Sequence, residues 1–366
     1  MKFIHNLTEW PKFEFDSEKI LHLVGRVRNL QGQLSGKMEA LGFNLKNEAY
    51  LETLSLDIIK SSEIEGERLE LDQVRSSIAR RLGMEVSGMI PADREVEGVV
   101  EMMMDATQNA KQKLTSERLF GWHSAMFPSG RSGMYKITVG NWRDDSTGPM
   151  QVVSGPLGKE KVHFQAPDSK KIKREIQKFL TWFNSNSNLD PAIQAGIAHL
   201  WFVTIHPFED GNGRITRAIT DMILSRSETS SQRFYSMSSQ IRLERKKYYE
   251  MLEKTQKGNL NITPWLEWFL ECLERALISS DQIVNKVLQK HKFWIDNKEI
   301  QLNERQTLII EKLLDGFFGK LNTSKWAKMN KCSTDTALRD IQDLINKNIL
   351  DKEPGGGRST SYQLKQ

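Results

Sequence analysis

Residues 192–204 read AIQAGIAHLWFVT, and residues 205–217 read IHPFEDGNGRITR. A run that is apolar on nearly every side is a helix that the rest of the chain has to enclose. Asp190 and Pro191 supply its N-cap and first-turn pair. The fold must then carry this helix out through a short loop bearing one imidazole, one aspartate, an Asn between two glycines, and two arginines. A loop made only to turn the chain needs no such set.

Elsewhere apolar residues recur at steps of three and four, which predicts a mainly α fold. Ile20, Leu23, Val27, Leu30, Leu34 and Leu41 mark a helix over 16–41, begun by Asp16 or Ser17 as N-cap. Leu51, Leu54 and Ile58 mark a second over about 47–65, and a third spans 71–82, ending near Gly83. Pro91 fits a first helical position before REVEGVVEMMMDATQNA, whose methionines read as core filler. SERLFGWHSAMF is a further helix, with His123 a structural histidine. Helices resume near 169, 191 and 214 and continue to about 294.

The stretch 130–167 breaks this rhythm. MQVVSG and KVHFQA alternate around PLGK, which predicts a short exposed hairpin. KHKFWIDNKEIQLN reads as a linker. After it come helical patterns at 304–315, 323–330 and 333–346, then two short strands around a glycine turn in ILDKEPGGGRSTSYQL. Three helices and a hairpin are the outline of a winged helix.

A chain of 366 residues has room for two or three domains. At 38% hydrophobic and 27% charged it is an ordinary globular composition, and a net charge of +5 is too weak to argue for nucleic acid. Cys272 and Cys332 form no CxxC pair, which speaks against a disulfide framework or a zinc site. The N-terminus does not read as a signal peptide, and no apolar run reaches membrane-span length. A reducing cytoplasm is the expected location.

The loop at 205–217 has the parts of a nucleotide phosphate site. Gly211 and Gly213 let an anion approach the backbone closely. A helix starting at about Asn212 turns its free N–H groups and its dipole toward a phosphate. Arg214 and Arg217, three apart, can reach that anion from one side. Asp210 is placed to hold a magnesium ion, and His206 to take a proton from an attacking hydroxyl. A calcium loop is a poor alternative, because Arg214 and Ile215 stand where it wants an oxygen donor and a glycine.

His206-Pro207-Phe208-x-Asp210-Gly211-Asn212-Gly213-Arg214-x-x-Arg217 resembles the Fic motif at every fixed position. The similarity covers about 90–290, and the hairpin resembles the family's target-docking flap. The resemblance implies a Fic-type helical core and transfer of AMP from ATP to a Ser, Thr or Tyr hydroxyl of a target protein, with release of pyrophosphate. It implies that His206 is the general base and that Asp210 binds Mg²⁺ across the α- and β-phosphates. Gly211, Asn212, Gly213 and Arg214 would cradle those phosphates, and Arg217 would meet the γ-phosphate. KKYYEMLEKTQKGN resembles the segment bordering adenine, which makes Tyr248, Tyr249 and Gln256 candidates there; core packing of the tyrosines competes with that reading.

SSEIEGE, residues 61–67, ends the second helix. Ser61, Ser62 and Glu65 continue the face that Ile58 carries, so an apolar face turns polar at its end. A carboxylate on a packing face needs a partner such as arginine, and Gly66 would stop the helix. Ser61 to Gly66 resembles the Fic inhibitory motif Ser/Thr-x-x-x-Glu-Gly, which implies that Glu65 pairs with Arg217 and excludes the γ-phosphate. A solvated glutamate is the bland alternative.

The expected organisation is an N-terminal helical region with the inhibitory helix (1–88), a Fic catalytic domain (89–295) and a winged helix (303–366). The wing carries Lys352 and Arg358, but the expected recognition helix has Asp335, Asp340 and Asp343 against Arg339 alone. A docking, dimerising or target-positioning module is therefore favoured over DNA binding. A target protein docking on 150–164 is the expected partner, with a homodimer left open. The rival functions are a DNA-binding regulator with an accessory Fic domain and removal of AMP by the same site.

Overall fold

The computed structural model describes residues 3–84, 88–146, 148–156, 158–185, 188–228, 232–317, 319–353 and 360–365. It is mainly helical, and its contacts divide it into two units, with Asp281 closing the first and Gln282 opening the main part of the second. Among the described residues no helix is long and apolar enough to cross a membrane.

The first unit begins with a 3-10 turn at Ile4–Asn6 and the helices α1 (Ser17–Glu39), α2 (Phe43–Ile64) and α3 (Leu71–Arg81). Asp16 caps α1 by accepting from the backbone N–H groups of Glu18 and Lys19, and Ile20, Leu23, Val27 and Leu34 are buried along it. α4 (Arg94–Gln108) and α5 (Ser116–Met126) follow. Pro91 does not open α4. Gln73 of α3 accepts from the Asp93 N–H at 2.8 Å and donates to its carboxylate at 3.1 Å, which holds Asp93 extended as the N-cap. Met102, Met103 and Met104 are buried, as core filler should be.

Two antiparallel hairpins come next, β1 (Arg131–Ser132) with β2 (Tyr135–Lys136), and β3 (Gln151–Ser154) with β4 (Lys161–Gln165). The first was not expected from the sequence, since two-residue strands carry no alternation. Leu157, in the Pro-Leu-Gly turn of the second, lies outside the described residues. Phe164 of β4 packs edge-on against Phe3 and roots the second hairpin on the N-terminal segment.

α6 (Ser169–Phe183), α7 (Pro191–Ile205) and α8 (Asn212–Arg226) form the centre, with α9 (Met237–Leu243), α10 (Arg245–Gln256) and α11 (Thr263–Asp296) after them. Asp190 caps α7 through the Ala192 N–H at 2.8 Å. α7 is buried along almost its whole length, including Leu200, Trp201, Phe202 and Ile205. Each such large side chain contributes about 1.5–3 kcal/mol relative to exposure. The helix is thereby fixed, and so is the loop it delivers.

α11 runs into the first half of the stretch expected to be a linker. Phe293 and Trp294 near its end pack on the core of the second unit, and the helix stops at Asp296, which leaves 297–303 as the connection. That unit holds α12 (Glu304–Leu314), α13 (Thr323–Met329), α14 (Thr334–Asn346) and the hairpin β5 (Leu350–Lys352) with β6 (Tyr362–Leu364). Asn303 and Gln306 make a capping box on α12. The acid count on α14 overstated its repulsion. Asp340 is 6% exposed and accepts from Arg305 and Asn303, while Asp343 accepts from Gln306 and Lys347. Arg358 and the glycine turn at 354–359 lie outside the described residues.

Candidate active site

α7 ends on His206, which takes the left-handed conformation with φ 52° and ψ 58°. That backbone costs a non-glycine residue on the order of 1–3 kcal/mol, so something must impose it. Arg143 does: its Nε donates to the His206 carbonyl at 2.8 Å, and its backbone N–H to the Pro207 carbonyl at 3.0 Å. His206 Nδ1 lies 3.2 Å from the Val203 carbonyl. A carbonyl only accepts, so Nδ1 carries the hydrogen and Nε2 keeps its lone pair. Burial pulls this imidazole below its usual 6.5, with Arg143 adding to the effect against the opposing Val203 carbonyl. At neutral pH it is therefore an uncharged base.

The turn after His206 is braced from within. Asn212 accepts from the Phe208 N–H at 2.9 Å and donates to the Phe208 carbonyl at 2.8 Å. Its side chain is thus spent on loop shape, which leaves only its backbone to face a phosphate. Gly211, at φ 79°, is the cap from which α8 starts at Asn212. Asp210 accepts from the Gly211 N–H at 2.6 Å and from the Ser132 hydroxyl of β1. His123 stacks on Phe208 at 4.3 Å, accepts from the Gly140 N–H and donates Nε2–H to the Asp210 carbonyl at 3.2 Å. Its role is structural.

Arg214 and Arg217 of α8 are both buried and both meet the end of α2. Arg217 is 2% exposed. Its Nη1 lies 2.8 Å from Glu65 Oε1, its Nε donates to Ser61 Oγ at 2.8 Å, and its Nη2 donates to the Ser61 carbonyl at 2.8 Å. Burial disfavours this guanidinium, but Glu65, through its charge and hydrogen bond, together with Tyr248 and Tyr249 raises the pKa. Arg214 pairs with Glu67, one residue beyond Gly66, which has φ 88°. Burial raises the Glu67 carboxyl against the lowering effect of Arg214, with Asp210 and Glu65 pushing it further up. Gly213 is where Glu65 comes nearest: a Cβ there would stand 1.9 Å from Glu65 Oε1. Only glycine admits that carboxylate.

A cavity of about 820 Å³ opens beside this turn, lined by Glu65, His206, Gly213, Tyr248, Tyr249 and Gln256 among others. Tyr248 is 1% exposed and its hydroxyl is 2.9 Å from His199 Nε2, so its polar end serves the core. Tyr249 donates to Glu65 at 3.4 Å, and burial, then the Glu65 charge, pushes its phenol up to about 12. Gln256 donates to Thr204 Oγ1 at 3.2 Å. The sequence reading overlooked Arg143, Ser132 and Glu67. Glu67 could have been found, since it stands in the quoted SSEIEGE; Arg143 and Ser132 carry no spacing signal.

Comparison with known proteins gives this geometry a family context. Residues 113–224 match the Fic/DOC family, and residues 3–84 match a domain of unknown function, DUF4172. The chain is 26% identical over 243 residues to Protein adenylyltransferase Fic of Drosophila melanogaster and, to the same extent, of Drosophila virilis. The first alignment covers 63% of this chain and 42% of the relative, so the chain spans about two fifths of the length of the curated relatives it matches. Among solved structures, a Fic family protein from Desulfovibrio desulfuricans G20 superposes with a TM-score of 0.53 at 21% identity, covering 95% of this chain and 96% of that one. A form of Fic-1 from C. elegans gives 0.51 at 20% identity, covering 73% of each chain. These likenesses establish the Fic fold. Residues 113–224 are a Fic/DOC domain, and the chain is homologous to Fic protein adenylyltransferases.

Proposed function

We propose that this chain is a protein adenylyltransferase, restrained by the turn that ends α2. The observation that carries the reading is the α7–α8 turn, which sets a neutral His206 imidazole beside the Gly211–Arg217 segment and one open cavity. His206 Nε2 takes the proton of a target Ser, Thr or Tyr hydroxyl. The hydroxyl oxygen bonds to the α-phosphorus of ATP as the bond to pyrophosphate breaks. The N-terminus of α8 and Arg214 hold the α- and β-phosphates, and Arg217 holds the γ-phosphate. Tyr249 and Gln256 border the adenine.

Magnesium fits the donor set at Asp210. One carboxylate beside a phosphate site is the usual provision for Mg²⁺, which takes its remaining ligands from phosphate and water. Among the described residues no group of three His, Cys, Asp or Glu could cage a metal by itself, so the ion would enter with its nucleotide. Bound there, it would neutralise phosphate charge.

The resting state is closed by two carboxylates. Glu65 occupies Arg217, and Glu67 occupies Arg214. A triphosphate has to displace both to be held productively. The target docks as an extended segment beside 150–164, in the manner of strand addition. We read residues 303–366 as a winged helix that serves docking or target positioning, in a chain of the reducing cytoplasm.

The test is incubation with labelled ATP and a lysate, followed by identification of AMP-bearing proteins. Label that requires His206 and appears on a protein hydroxyl supports the reading. ATP hydrolysis without any protein-bound AMP would overturn it.

A further inference from the structure

The β3–β4 hairpin contains a bulge. Val152 pairs with Phe164 and Val153 with Val162, which leaves His163 as the extra residue. A bulge re-aims a side chain, and this one bridges two partners. His163 Nδ1 lies 2.6 Å from Glu253 Oε2 on α10, and His163 Nε2 lies 2.6 Å from Ser154 Oγ on β3. A carboxylate only accepts, so Nδ1 carries the hydrogen, and Nε2 accepts from the Ser154 hydroxyl. Lys257, bonded to Glu253, and His163 together hold that carboxyl below its usual range.

A hydroxyl, an imidazole and a carboxylate in this order make the arrangement that activates a serine as a nucleophile. Ser154 is exposed, and the three residues line the same cavity as His206 and Gly213. Arg242, Arg245 and Lys246 stand in that wall as well, with Arg242 paired to Glu63 and Arg245 donating to the Ile64 carbonyl. The hairpin itself has no need of the hydroxyl: its strands pair through the backbone, and its apolar root is Phe164 on Phe3.

We propose that Ser154 is a self-modification site that accepts AMP, with His163 as its base and Glu253 positioning the imidazole. The inference rests on the adenylyltransferase reading. Ser154 Oγ attacks the α-phosphorus of ATP in the cavity. The Oγ–P bond forms as the bond to pyrophosphate breaks, the serine proton passes to His163 Nε2, and pyrophosphate leaves. An AMP ester remains on β3. It sets a bulky anion on the strand where a target would add, so the modification shields the hairpin.

The test uses the full chain carrying Glu65→Gly, incubated with ATP and Mg²⁺ and then digested for peptide mass mapping. AMP on Ser154 is the expected result. Ser154→Ala removes it, and His163→Gln lowers it about a hundredfold, in the range of a lost general base, with the melting temperature and ATP binding unchanged. AMP found only on other hydroxyls of the chain overturns the inference and leaves the adenylyltransferase reading standing, as does Ser154 labelling that survives His163→Gln. A merely structural His163 would instead lower the melting temperature and the labelling of lysate proteins together, which also overturns its assignment as a base. The absence of AMP on any protein, with no ATP binding, overturns both readings.

Discussion

Asn212 spends its whole side chain on the backbone of Phe208, whereas Val153 of β3 is 47% exposed. The α7–α8 turn is over-determined: a buried helix enters it, Arg143 and His123 hold its carbonyls, and a strained His206 backbone is kept in place. The β3–β4 hairpin pairs through its own backbone, is rooted by Phe164 and reaches α10 through the His163 imidazole. Rigid elements keep reacting groups in register, while lightly held ones adapt to a partner. Substitutions in the turn should therefore change the rate, and those in the hairpin should change which protein is modified.

The largest expected effect would sharpen this contrast. His206→Ala should lower AMP transfer to targets by about 10²–10⁴, the usual range for a general base, while ATP still binds. Single-turnover labelling beside nucleotide titration measures both. The same group sets a pH dependence. The imidazole acts uncharged and its pKa lies below 6.5, so transfer should hold steady above that pH and fall only as pH drops through the depressed value. A rate that begins to fall while pH is still well above 6.5 would break the assignment.

Next in size is release of the restraint. A charge-assisted arginine pair is worth roughly 1.5–3 kcal/mol, so Glu65→Gly should raise transfer about tenfold to a hundredfold. Glu65→Gly with Arg217→Ala should lose most of the gain. If Glu65 were only structural, the single variant would be less stable and less active, which a melting curve with a labelling gel would reveal.

A proline at Val162 tests the other region. It removes a strand N–H and should cut labelling of the target severalfold, with ATP binding untouched. Parallel loss of both would make the hairpin part of the nucleotide site.

The two regions also differed in how much of them could be read from sequence. The turn was legible because its chemistry is packed into adjacent positions: His206, Gly211 and Arg217 stand within one stretch, and the helix start at Asn212 follows from the glycines. The Asp190 cap and the methionine core were legible for the same local reason. What escaped depends on residues far apart in the chain. Arg143 reaches His206 across 63 positions, and His163 reaches Glu253 across 90, with no periodicity to announce either. Pro91 and the 290–303 segment misled because tertiary contacts, Gln73 on Asp93 and Phe293 on the second core, overrode local propensity.

The smallest expected effect concerns Glu67, and it separates two kinds of restraint within the turn's own neighbourhood. Glu65 and Glu67 flank Gly66 and take one arginine each, yet their surroundings differ. Arg217 is also held by Ser61 twice, whereas Arg214 has Glu67 and the face of Phe127. The Glu67 side chain is 41% exposed, so its pair is weakened by solvent and should be worth little more than a surface bridge. Because Arg214 is read as holding the α- and β-phosphates, which are bound before and during transfer alike, freeing it strengthens ground-state and transition-state binding together. Glu67→Gln should therefore lower the KM for ATP a few-fold and leave kcat nearly unchanged, whereas Glu65→Gly should act mainly on kcat. A Glu67→Gln variant that raised kcat as strongly as Glu65→Gly would show that the two carboxylates form a single latch and that Arg214 and Arg217 are released together.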